Sequence, residues 1–268
     1  MHYFTFEDIS VLLRLVIAHL VADFYLQRND WIKSKVEKNL ASPFLWIHAG
    51  IAAFGAWIVL WDINYWWVFG ITFITHLPTD AWKIWATNKV MADTSLTEQR
   101  KAEKELRLFI TDQIIHFIVI LVIWLLLINK MSLFGEQISR AITNYRFLLF
   151  MTGYLIVLNP TGFLVGNITK RWLPELNMKD SLYNAGTWIG LLERTIVLTF
   201  IYANQFSAIG FLIAAKSILR VTDKPEPNSN DIAPFSSRKH TEYVLIGTFL
   251  SFGIALLVGL SINYLLGL

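Results

Sequence analysis

Four of the six histidines stand in apolar surroundings in the first half of the chain. Three of them lie four residues from an aspartate: His19 with Asp23, His76 with Asp80, and His116 with Asp112. His48, in the segment FLWIHAG, is the fourth. On a helix, residues i and i+4 share one face a single turn apart, so each pair projects toward one place. Imidazoles and carboxylates without a thiolate form a ligand set for a divalent cation, zinc first and manganese or iron as alternatives. Seven candidate ligands exceed the four that tetrahedral zinc needs, so one or two ions fit. The surplus groups would orient the imidazoles or act as a general base, with Asp23 and Asp112 the candidate bases. Gln27, Thr79 and Gln113 border the same face and are placed to hydrogen-bond a bound water or substrate.

These ligands need elements that hold them at one depth. Of the 268 residues, 55% are hydrophobic and only 16% charged, whereas a soluble protein carries about 25% charged residues. The composition points to a polytopic all-α bundle in a membrane and excludes collagen, a disordered chain and a disulfide scaffold. With no cysteine there is no disulfide, thiolate nucleophile or iron–sulfur cluster. Eight apolar segments read as spans, near residues 9–27, 43–61, 65–85, 108–128, 146–168, 185–205, 206–219 and 242–266. The seventh is short and reads as a re-entrant or tilted half-span. The domain reading is a four-span module over residues 1–130 and a second module over 131–268.

Orientation follows from the basic residues. Lysine and arginine crowd into alternate loops, at 28–38, 89–107, 170–179 and 220–239, while the opposite side holds only Lys130, Arg140 and Arg146. Retained cytoplasmic loops are enriched in these residues, so both termini are expected outside. The first residues, MHYFTFEDIS, lack the basic region of a signal peptide, so the first span is expected to remain. DTSLTEQRKAEKELR reads as an amphipathic cytoplasmic helix capped by Thr94 or Ser95. TDKPEPNSNDIAPFSSRK reads as a flexible loop.

Within that topology, Asp23, His48, Asp80 and Asp112 fall four or five residues from the cytoplasmic helix ends. At 1.5 Å per residue they share a layer roughly 6–8 Å inside the boundary. His19, His76 and His116 lie one turn deeper. The order His-then-Asp reverses where the helix direction reverses, as an antiparallel bundle requires. A lone intramembrane histidine, such as His48 alone, is most often a hydrogen-bonded packing residue. Four helices bringing their polar groups to one depth form a different pattern, because buried ionised groups are costly unless they pair or hold an ion. A proton relay uses the same residue types.

The second half has its own polar set. Glu193 and Lys216 carry opposite charges suited to a pair across helices, which leaves Arg194 to meet a phosphate or a partner. Asn159-Pro160-Thr161-Gly162 predicts a broken helix whose freed carbonyls need a neighbour or a ligand. Ion-paired helix glue is the competing reading of this set.

HLVADFYLQ, HAG, HLPTDAWK and DQIIH, over about residues 9–130, resemble the N-terminal module of the uncharacterised bacterial membrane-protein family known as domain of unknown function 3307. GTWIGLLER, AIGFLIAAKSILR and EYVLIGTFLSF are similar to the C-terminal module of its longer members. The resemblance implies a bacterial inner-membrane protein and brings no activity. By analogy of site type, the His/Asp pattern is that of a membrane-bound metal-dependent hydrolase opening to the cytoplasm and acting on a lipid head group or a nucleotide. The competing functions are a divalent-metal or proton transporter, and a metal-stabilised sensor or scaffold whose cytoplasmic loops bind a partner protein. The lipid bilayer is the one expected partner common to all three, and no nucleic-acid motif is present.

Overall fold

The computed structural model describes residues 3–175, 185–222 and 234–267. Among these the chain is all-α, with no strand. The helices are α1 (Phe6–Leu20), α2 (Asn29–Lys38), α3 (Pro43–Ile58), α4 (Trp66–Ala92), α5 (Glu98–Leu127), α6 (Met131–Thr143), α7 (Tyr145–Thr169), α8 (Ala185–Tyr202), α9 (Phe206–Thr222) and α10 (Pro234–Leu266). They divide into two compact units, residues 1–138 and 139–268. The Pro- and Asn-rich stretch expected as a flexible loop lies mostly outside the described residues.

Eight spans are expected from the sequence. Among the described residues, three helical segments are long and apolar enough to cross a membrane, Glu98–Leu127, Tyr145–Trp172 and Glu242–Leu266. A fourth span results if Phe6–Tyr25 and Asn29–Ala41, bent by 81° at a short break, count as one. The physical reason is composition: α4 has the length but carries His76, Asp80 and Lys83 in its middle, and α8 carries Glu193 and Arg194. α3 and the apolar part of α9 are short. The seventh segment is one continuous helix, α9, with no re-entrant turn among its described residues.

In the N-terminal unit, α3 turns Ala49, Ala52, Ala53 and Ala56 inward, and these small side chains allow close approach of neighbouring helices. Leu15, Val68, Ile120, Ile123 and Trp124 fill one end of the unit. At that end Thr5 and Asp8 form a capping box on α1, Lys130 pairs with Asp8, and Trp124 Nε1 donates to the Asp8 carbonyl at 2.6 Å. Apolar side chains such as Ile74, Ile118 and Leu126 remain exposed on the outside.

Two local features differ from expectation. Residues Val21–Tyr25 form a π-helical turn, closed by Leu26 N donating to the Val21 carbonyl at 3.0 Å, and such turns widen a helix and re-aim its side chains. The helix α5 runs unbroken from the loop into the core, and its cap is Thr97 rather than Thr94 or Ser95. Thr97 Oγ1 accepts from Arg100 N, whereas Ser95 bonds back to Asp93 in the preceding turn.

In the C-terminal unit, α7, α8 and α10 pack around Val157, Val197, Leu198, Ile201, Phe252 and Ala255. A Cβ on Gly153 would strike the Tyr202 hydroxyl, and one on Gly259 would come within 2.6 Å of Ile201 Cδ1. Glycine at both positions is a condition of that packing.

Candidate metal centre

The π turn places Asp23 so that its carboxylate reaches past its own helix. Asp23 Oδ1 lies 3.7 Å from His19 Nδ1 on the same helix, but also 3.5 Å from His48 Nε2 on α3 and 3.6 Å from His76 Nε2 on α4. Asp80, one turn beyond His76, lies within 3.8 Å of His76, 3.5 Å of His48 and 3.5 Å of His116. Asp112 Oδ1 lies 3.4 Å from His116 Nε2. His48 and His76 face each other Nε2 to Nε2 at 3.1 Å, and the rings of His76 and His116 stack at 4.1 Å. All seven sequence-predicted ligands therefore share one cluster, built from α1, the π turn, α3, α4 and α5, and all are buried or nearly so. Three overlapping trios place a ligand atom from each member within 4.8 Å of the others: His19, Asp23, His76; His48, His76, Asp80; and Asp80, Asp112, His116.

Asp23 and Asp112 share a polarity, turning Oδ1 toward the imidazoles and resting Oδ2 on a donor behind it, whereas Asp80 faces imidazoles with both oxygens, Oδ1 toward His76 and His116 and Oδ2 toward His48. Asp23 Oδ2 accepts from Gln113 Nε2 (3.3 Å), Asp80 Oδ2 from Lys35 Nζ (3.2 Å), and Asp112 Oδ2 from Lys83 Nζ (2.8 Å) and Gln113 Nε2 (3.2 Å). On the inward side, Asp23 Oδ1, Asp112 Oδ1 and His116 Nε2 are buried without a hydrogen-bond partner. Leaving a buried acceptor unmet costs about 1–3 kcal/mol, more for a charged group. Unmet lone pairs converging from several helices, with donors holding the opposite oxygens, are the arrangement that a cation completes.

Gln113, expected at a water or substrate, is instead spent on three ligands. Besides its two carboxylate bonds, its Oε1 lies 3.3 Å from His19 Nε2. A proton on that nitrogen donates to Oε1 and turns the Nδ1 lone pair toward Asp23. Gln27 stands further back. With its amide turned so that oxygen meets the ammonium, it accepts from Lys35 Nζ at 2.7 Å and donates to the Asp23 carbonyl at 3.3 Å. Thr79 donates to the Thr75 carbonyl at 2.8 Å, in the turn that Pro78 loosens.

Lys35 and Lys83 were not among the expected site residues. Lys83 follows Asp80 by three residues and His76 by seven, so the helix-face pattern contains it. Lys35 has no such local signal: it reads as one more cytoplasmic cation and reaches Asp80 only because α2 folds back after the break.

Against the imidazoles lies a cavity of about 20 Å³, lined by His19, His76 and His116 together with Leu15, Ala52, Ala56, Thr72 and Ile120. Room of that order holds a water molecule. Thr72 Oγ1 is buried there without a partner, whereas Thr75, Thr79 and Thr111 each donate back to their own helix.

The second polar set resolves differently. Lys216 pairs with Glu193 across α8 and α9. Arg194, expected to be left for a phosphate or a partner, is consumed beside Pro160 in α7, which runs as one helix from Tyr145 to Thr169 and is not broken as the sequence predicts. Pro160 has no N–H for the Ile156 carbonyl and opens the preceding turn. Thr161 Oγ1 donates to Ile156 O at 2.9 Å, while Arg194 donates to Val157 O at 2.7 Å, Leu158 O at 3.0 Å and Ser251 Oγ at 3.3 Å. A Cβ on Gly162 or Gly190 would lie within 2.9 or 3.0 Å of the guanidinium, so both glycines make room for it.

No curated protein and no solved structure matches the chain. Residues 11–143, which contain all seven candidate ligands together with Gln113, Lys35 and Lys83, match a family described as protein of unknown function (DUF3307), and this N-terminal half of the chain belongs to that family.

Proposed function

We propose that the N-terminal unit is a divalent-metal centre inside a multi-pass membrane protein, and that its chemistry is metal-dependent hydrolysis. The observation that carries this reading is the convergence of seven ligands in which Asp23 and Asp112 keep Oδ1 without a hydrogen-bond partner while Gln113 and Lys83 hold their Oδ2 atoms. His76 and Asp80 each belong to two of the three trios, so one ion bound there or two ions sharing them both fit the ligand set. Zinc suits the mixture of imidazole and carboxylate, with manganese and iron as alternatives.

A divalent cation would lower the pKa of a bound water toward neutrality and polarise a phosphoryl or carbonyl oxygen. The cavity against His19, His76 and His116 has room for that water. Asp23 or Asp112, each with an unpaired Oδ1, takes the proton released as the water adds to phosphorus or carbon, and returns it to the departing oxygen.

The membrane setting belongs to the same proposal: a multi-pass chain with both termini outside and the site toward the cytoplasm of a bacterial inner membrane. Its support is the concentration of lysine and arginine in alternate loops and the depth shared by the seven ligands. α5 carries two of the ligands and is still long and apolar enough to span, whereas α4 is diluted by His76, Asp80 and Lys83.

The test is hydrolysis of p-nitrophenyl phosphate and p-nitrophenyl acetate by the full chain, purified in detergent and loaded with zinc. Of Asp23→Asn and Asp112→Asn, the one that removes the base should lower kcat by about a hundredfold or more when compared at equal metal content. Turnover of neither compound, or variants as active as the parent, would remove the hydrolase assignment. The second reading, a metal-stabilised scaffold, would then remain, and the burial of all seven ligands favours it.

A further inference from the structure

Two ammonium groups beside the ligand carboxylates are hard to explain in a site that only holds a metal. Lys35 and Lys83 lie 3.2 and 2.8 Å from Asp80 and Asp112, close enough to repel a cation bound by the same carboxylates. With the imidazoles neutral, as ligation requires, three carboxylates against two ammoniums leave one negative charge. One divalent ion reverses the balance to one positive charge, and a second raises it to three. A net positive charge enclosed among apolar helices is costly until an anion joins it.

The two lysines divide the work. The Lys35 side chain is 3% exposed and is gripped by Asp80 and Gln27. The Lys83 side chain is 32% exposed, while that of Asp112 beneath it is 0% exposed. Its ammonium lies 5.4 Å from the centre of the Phe109 ring. Lys83 thus joins the surface of the unit to a fully buried ligand, and a lysine ammonium is a compact charge suited to a phosphate oxygen. Arg194, the cation expected for this task, is committed within its own unit, as is Lys216.

We propose that the metal-loaded centre binds a terminal phosphate group, received at the rim by Lys83, with Lys35 as the fixed counter-charge behind Asp80. This rests on the metal-centre reading and adds the substrate class. A phosphate has enough oxygens to reach the metal and Lys83 together, which a carboxylate chelating the metal does not.

The full chain loaded with cobalt(II) provides the test, because the visible spectrum of cobalt reports a new ligand. Titration with inorganic phosphate should change the spectrum saturably, and acetate should not. Measured on variants brought to full cobalt occupancy, since Lys83 also holds Asp112, Lys83→Gln should weaken phosphate at least about tenfold and Lys83→Arg should retain it within about threefold. Phosphatidic acid in phosphatidylcholine–detergent micelles, against phosphatidylcholine alone, separates the sources. A response to phosphatidic acid but not to inorganic phosphate makes the phosphate that of a lipid head group and still requires Lys83. The proposal is overturned if neither phosphate form acts, if acetate acts as strongly, or if Lys83→Gln binds like the parent; cobalt occupancy would then leave the metal centre standing. A chain that takes up no cobalt fails at the earlier reading.

Discussion

In the C-terminal unit, Arg194 donates to the Val157 and Leu158 carbonyls beside Pro160 and to Ser251, and Glu193 is paired with Lys216. In the N-terminal unit, Asp23, Asp112 and His116 turn inward atoms toward one another and the other imidazoles without a hydrogen bond, although donors hold the far side of both carboxylates. Both units place ionisable groups among apolar helices, and the sequence shows both as polar residues inside apolar segments. Composition therefore does not separate glue from site. The separation lies in whether the polar atoms satisfy each other or converge on a place where something else must satisfy them.

Substitution at Asp80 should break the comparison most severely. Asp80→Asn removes a ligand shared by two trios and strands the buried Lys35 ammonium. Orphaning one member of a buried pair costs about 3–5 kcal/mol. The expected outcome is loss of bound metal together with a lowered melting temperature in detergent, both read on one preparation. Arg194→Leu should cost about 2–4 kcal/mol, since the Val157 and Leu158 carbonyls lose donors. Thermal unfolding should record that loss while metal content stays at the parental level. A fall in metal content equal to that of Asp80→Asn would mean the two polar sets are not separate.

Smaller effects sharpen the distinction. Gln113→Leu leaves every ligand in place and removes the bonds that orient His19, Asp23 and Asp112. It should weaken metal binding about 10–100-fold, measured by competition with a chelator, with little change in fold. Thr161→Val withdraws one hydroxyl from the Ile156 carbonyl and should cost about 1 kcal/mol of stability, with metal binding untouched.

The arrangement of the site is partly written in the chain. The i,i+4 pairs and their reversal on α5 carry the ligand identities, because helix periodicity converts spacing into a face. Lys83 falls on that same face and was open to the same reasoning. Lys35 was not, because its place depends on the break after the π turn and the return of α2, which no local pattern marks. Asp23 illustrates a related limit: the widened turn lets one carboxylate face three histidines, whereas ideal α-helix spacing ties it only to His19. Pro160 made freed carbonyls legible, but whether a ligand or a neighbour meets them depends on tertiary packing. The neighbour is Arg194, admitted by Gly162 and Gly190. Span number was the least legible quantity, since polar and charged residues dilute the hydrophobicity of α4 and α8 and the apolar parts of α3 and α9 are short.

The most direct test is the metal content of the purified full chain, measured by elemental mass spectrometry beside a His76→Ala variant. The account predicts one or two equivalents of a divalent transition metal in the parent and a loss of most of it when His76, common to two trios, is removed. A parent that carries no stoichiometric metal, even after incubation with zinc, manganese or iron(II), would contradict it.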